Sequence, residues 1–135
     1  MNGSAKKKTS AAGGTMSQSL EDYLEAVYVL IEEGGSAQVR DVAALLSVKM
    51  PSVVKAVHEL KKLELATQDP YGPIKLTARG AAAARRVLSR HELLRRFLVK
   101  LGVSRRIADR DACLMEHILS AETLDKIRDY TERKK

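Results

Sequence analysis

Cys113, Glu116 and His117 stand at i, i+3 and i+4 in the run Asp-Ala-Cys-Leu-Met-Glu-His, so a helix through them projects thiolate, carboxylate and imidazole from one face. Asp22 and Glu25 are spaced i, i+3 in a second periodic segment, and His91 falls on the apolar stripe of a third. Each piece alone is ordinary, since an Asp-x-x-Glu pair is usually a solvated face and a lone His on an apolar stripe is usually a core histidine. Three ligand types on one helical face are rarer, and the six residues together read as a site for one or two divalent cations. Imidazole suits Zn, Cu, Fe and Ni, carboxylate suits Mn and Mg, and a thiolate moves the preference toward softer or borderline metals. The mixture points to Fe(II), Mn(II), Co(II) or Ni(II) more than to a closed structural zinc tetrahedron. Binding should weaken as pH falls, because every donor binds deprotonated. Cys113 and His117 also read as a nucleophile and base, but the chain has no Gly-x-Ser-x-Gly, Gly-rich phosphate loop or recognisable oxyanion hole, so an enzyme is not expected.

The elements that must carry these residues follow from periodicity. Residues 1–17 mix Gly, Ser, Ala, Thr and Lys without apolar rhythm and read as a disordered basic tail. From Ser19, taken as an N-cap, Leu20, Leu24, Val27, Tyr28 and Ile31 recur at helical spacing until Gly34-Gly35. A short helix over 38–46, a tight connection at 47–49 and a second helix from Pro51, with Val53, Val57 and Leu60 inward, make a helix-turn-helix. Residues 65–68 and 73–76, split by Asp69-Pro70-Tyr71-Gly72, read as a hairpin wing. Three helices follow, over 78–101, 104–119 and 121–133. The expected fold is mainly α: a winged helix-turn-helix DNA-binding domain over 18–77, then a helical metal-binding domain over 78–135.

A recognition helix starting at Pro51 brings Lys49, Pro51, Ser52 and Lys55 to the duplex. Lys55 suits guanine O6 and N7, Ser52 a base or phosphate, and Pro51 a thymine methyl. Lys49 and Lys75 suit phosphates, which position without specifying. The charge distribution agrees only in part. The net +7 is concentrated as +8 over residues 77–110 and +3 over residues 1–15, while residues 16–76 carry −3. The basic segments favour a polyanion partner; the acidic stretch leaves room for a metal-independent winged-helix regulator that binds DNA or protein. One cysteine in 135 residues allows no internal disulfide, no apolar run approaches the roughly 18–20 residues of a bilayer span, and a secretory signal is not expected. The expected setting is the reducing cytoplasm, with no membrane partner and no small organic substrate.

Three separated segments carry a resemblance: Ser-Leu-Glu-Asp-Tyr-Leu-Glu-Ala-Val-Tyr (19–28), Arg-His-Glu-Leu-Leu (90–94) and Asp-Ala-Cys-Leu-Met-Glu-His-Ile-Leu-Ser (111–120). In this order, with a winged helix between the first two, the chain resembles the diphtheria-toxin-repressor family of metal-dependent transcriptional repressors over about residues 17–132. The resemblance implies that Asp22, Glu25, His91, Glu116 and His117 occupy metal-binding positions of the manganese-responsive branch, and Pro51, Ser52 and Lys55 recognition-helix positions. It also implies a homodimer through the C-terminal helices that binds a palindromic double-stranded DNA operator when metal is present; the mixed ligand set beside a helix-turn-helix makes a repressor of metal-uptake genes the expected function. Cys113 matches the iron-responsive branch, whereas Asp22 replaces that branch's methionine; the further C-terminal domain common in that branch is not expected. The hybrid set puts Fe(II) first and Mn(II) next, with Co(II), Ni(II) or Zn(II) as substitutes.

Overall fold

The computed structural model describes residues 16–133. The tail expected over 1–17 lies outside the described residues up to residue 15, whereas Met16 packs partly buried against the core and Ser17 opens the first helix. The described chain divides after Ala84 into two compact units.

In the first unit, α1 spans Gln18–Gly34, and its N-cap is Ser17 rather than the expected Ser19. The Ser17 side chain accepts from Leu20 N at 3.1 Å, and Glu21 in the first turn complements the helix dipole. Gly35 ends the helix at φ 89°, a left-handed conformation that glycine adopts at little steric cost. Helix α2 (Val39–Leu46) opens on a capping box in which Asp41 Oδ2 accepts from Gln38 N at 3.2 Å. After the turn at Ser47, α3 runs Met50–Lys62 with Pro51 in its first turn. Leu24, Val27, Val42, Val53 and Leu60 are fully buried at the centre of this unit's core. Strands β1 (Ala66–Gln68) and β2 (Ile74–Leu76) pair antiparallel with Thr67 opposite Lys75, and Ala37 bridges to Ile74.

Helix α4 spans Ala78–Leu101. Its start is clamped by Thr77, whose N–H donates to Leu65 O at 3.0 Å and whose Oγ1 accepts from Gly80 N at 3.0 Å. The boundary read at 77/78 is the start of this helix, while its residues Ala83 and Ala84 still join the first core.

The second unit holds the remainder of α4, then α5 (Arg105–Met115) and α6 (Ala121–Glu132). Ser104 and Ser120 cap the latter two helices. Lys100 Nζ donates to the Tyr130 and Thr131 carbonyls at 2.9 and 3.3 Å, satisfying acceptors that a helix C-terminus leaves open. Phe97 meets Tyr130 edge-on at 5.8 Å. The helix expected over 104–119 stops at Met115 and gives way to turns. Leu114 and Ile118 point outward at 59% and 72% exposure, so no inward stripe continues the helix, and Ser120 already starts the next one. Among the described residues, no helix is long and apolar enough to cross a membrane.

Candidate metal centre and nucleic-acid interface

The early end of α5 decides where the candidate ligand residues go. Glu116 becomes the C-cap of α5 and is the one buried charged residue among those described, at 1% exposure. Its Oε1 lies 3.1 Å from His91 Nδ1 on α4, its Oε2 lies 3.3 Å from His117 Nε2, and Arg90 Nε donates to its carbonyl at 2.9 Å. Burying a carboxylate is costly unless it is paired and hydrogen-bonded. Oε1 is satisfied, whereas Oε2 has an ion-pair neighbour without hydrogen-bond geometry. A buried carboxylate with an unsatisfied oxygen between two imidazoles is a donor set that fits a borderline divalent cation.

His91 Nε2 lies 2.8 Å from Asp109 Oδ1, a partner that sequence reading missed. Its signal was available: Glu92 and Asp109 are the only acids among residues 77–110. The His91 imidazole is pushed from 6.5 up to about 9, chiefly by its hydrogen bond to Glu116, against the opposing effect of burial and with further help from Asp109. His91 is therefore an imidazolium whose two ring N–H groups donate to two carboxylates. Because the folded value exceeds the unfolded one, this stabilisation is complete below pH 6.5 and is lost as pH rises through about 9. Asp109 is 60% exposed, so its share is screened and a total of about 1–2 kcal/mol is expected. Thermal melts in chelator should show stability falling between pH 7 and 9.5, with the fall abolished in His91→Asn; a parallel fall in both proteins would refute the assignment.

The structure thus gathers His91, Glu116 and His117, while Cys113 lies exposed on α5. Asp22 and Glu25 are half-buried on α1, one turn apart among buried Tyr23, Leu24 and Ala26. In the first unit, Lys49, Pro51, Ser52 and Lys55 are exposed at the start of α3, while Val53, Ala56, Val57 and Leu60 anchor its other face. Met50 and Val54 share the exposed surface at 51% and 56% and were missed, although Val54 falls off the inward stripe by one residue. Lys75 is exposed on β2. A cleft of about 370 Å³, lined in part by Ser17, Tyr23, Ser52, Lys55 and Glu59, separates the start of α1 from α3.

Residues 15–74 match the iron-dependent repressor N-terminal DNA-binding domain, and residues 77–135 match the iron-dependent repressor metal-binding and dimerisation domain. The HTH-type transcriptional regulator MntR of Geobacillus kaustophilus is 43% identical over 114 residues, covering 84% of this chain and 81% of that protein. The chain belongs to the diphtheria-toxin-repressor family. An uncharacterised HTH-type transcriptional regulator of Methanocaldococcus jannaschii is 36% identical over 87% of this chain and 96% of its own length. The crystal structure of T. acidophilum IdeR superposes with a TM-score of 0.73 at 28% identity, over 82% of this chain but 52% of that one. This member of the family is accordingly a metal-dependent transcriptional repressor with DNA-binding and dimerisation domains, and the family is not one of enzymes.

Proposed function

We propose that the chain is a cytoplasmic homodimeric repressor of metal-uptake genes, activated by Mn(II) or Fe(II) to bind a palindromic operator. Residues 18–77 form its reading head and 78–135 its sensing and dimerising half. The observation that carries this reading is the buried Glu116 carboxylate held between His91 and His117 with one oxygen unsatisfied, in a chain of a metal-dependent repressor family. Asp22 and Glu25 would supply carboxylates from α1, Glu116 a further carboxylate, and His91 and His117 imidazoles. A bound divalent cation would supply the positive charge that balances these carboxylates. His91 must give up its proton to serve as a ligand, which couples activation to pH. Holding the two heads of a dimer at a spacing of one or two helical turns, roughly 34 Å each, matches them to operator half-sites. Every ~1.4 kcal/mol of preference for that arrangement is worth about tenfold in operator affinity. The cation is itself the effector, with no small organic molecule required.

The thiolate of Cys113 is the argument for Fe(II) first; its exposure and the name MntR carried by the 43% identical relative favour Mn(II). The test is a gel shift on palindromic duplexes selected from a random library with Mn(II)-loaded protein, repeated with Fe(II), Co(II), Zn(II) and chelator. Binding should need metal, and equal affinity in excess chelator would refute the proposal in favour of a metal-independent regulator. Lys55→Ala should weaken operator binding about tenfold, the value of one good base contact, with unchanged metal affinity by calorimetry. Cys113→Ala should lower the Fe(II) response more than the Mn(II) response if the thiol is a ligand; an unchanged ratio removes Cys113 from the set.

A further inference from the structure

The two ring nitrogens of His91 face different surroundings. Nδ1 lies 3.1 Å from Glu116, a buried carboxylate whose other oxygen has no hydrogen-bond partner. Nε2 lies 2.8 Å from Asp109 Oδ1. Behind that oxygen, at 3.8 Å, sits Arg95 Nε, and Arg95 Nη2 donates to Glu92 Oε1. One guanidinium therefore holds both acids of residues 77–110, the carboxylates that a cation on the Nε2 side of His91 would need. Arg95 is only 15% exposed, so taking its two partners away would leave a largely buried charge unpaired, which is costly.

A divalent ion and this guanidinium cannot share the same two carboxylates. Metal ligands make way by losing a proton, but arginine stays charged throughout the range in which proteins fold. Like charges a few ångströms apart repel most strongly where water is scarce. The repulsion extends outward as well, because a cleft of about 440 Å³ beside the Glu92–Arg95 pair is also lined by Arg96, Lys100 and Arg105. The Nδ1 side, by contrast, offers the Glu116 oxygen that lacks a partner.

We propose that Arg95 is a built-in cation that closes the Nε2 side of His91 and limits the centre to one divalent ion per chain. The inference rests on the metal centre proposed above. The full chain, without DNA, is titrated with Mn(II); free Mn(II) is counted by electron paramagnetic resonance and binding heats are measured by calorimetry. Wild type and Arg95→Lys, which keeps the charge, should bind one ion per chain, with any second ion at least about a hundredfold weaker, a scale set by like-charge repulsion at this range. Arg95→Gln and Arg95→Ala, which remove the charge, should take up a second ion at least about tenfold more tightly than wild type does. Two ions of similar affinity in wild type overturn the proposal and leave the metal centre standing. So does a folded Arg95→Gln or Arg95→Ala protein whose second-ion affinity matches wild type. Melting curves identify a variant unfolded at the assay temperature; the other variant then decides, and the wild-type count decides irrespective of both. Wild-type protein that takes up no Mn(II) refutes the metal centre and this inference together.

Discussion

Glu116→Gln is expected to abolish metal-activated operator binding, weakening it at least ~100-fold, while the metal-free chain stays folded. The replacement keeps the shape of a fully buried side chain but removes the charge that His91 and His117 face at 3.1 and 3.3 Å. A cation held by these groups loses its one wholly desolvated carboxylate, where electrostatic interactions are strongest. Changes to mere supporting partners of metal ligands cost about 10–100-fold, and a direct ligand should exceed that range. The metal-free state suffers less, because the largest contribution raising the His91 pKa comes from Glu116 and an unprotonated imidazole can accept from the new amide. Calorimetric titration with Mn(II), gel shift and thermal melts in chelator measure the three quantities. Metal-activated binding within threefold of wild type would remove Glu116 from the centre.

Gly80→Ala is expected to destabilise the first unit by about 3 kcal/mol, at the upper end of overpacking effects. In an ordinary helix the sign would be opposite, since alanine is favoured over glycine by roughly 1 kcal/mol. Here a Cβ would sit 1.9 Å from Leu65 O and 2.9 Å from its carbonyl carbon. That carbonyl is fixed by Thr77 N at 3.0 Å, and Thr77 Oγ1 bonds Glu64 O at 2.8 Å. The obstacle is backbone, so no side chain can swing aside. At roughly 4–8 °C per kcal/mol for a domain of this size, circular dichroism melts should show a fall of more than ten degrees. An unchanged or raised melting temperature would mean the wing and α4 can separate without cost.

What lies within one or two turns of chain was legible without coordinates. The start and end of α4, the pair of helices before it, the wing, and the outward positions of Lys49, Pro51, Ser52 and Lys55 all follow from apolar period and from Gly and Pro. The ligand types were legible for the same reason, as residue chemistry at short spacing. Local signals failed where two readings competed at close range: Ser17 and Ser19 both suit an N-cap, and Ser17 caps α1. They also ran past Met115, because Leu114, Ile118 and Leu119 mimic a continuing stripe whose first two members face solvent.

Residue order alone determined which donors are present, which helices bear them, and that a DNA-reading unit precedes them. Only tertiary structure decided that Glu116 is the buried carboxylate, that His91 is shared between Glu116 and Asp109, and that Gly80 abuts Leu65. The reason is one of range. Helical period and turn chemistry act between near neighbours, whereas His91 and Glu116 are 25 positions apart, and burial, proton affinity and steric exclusion depend on which distant segment packing brings into contact.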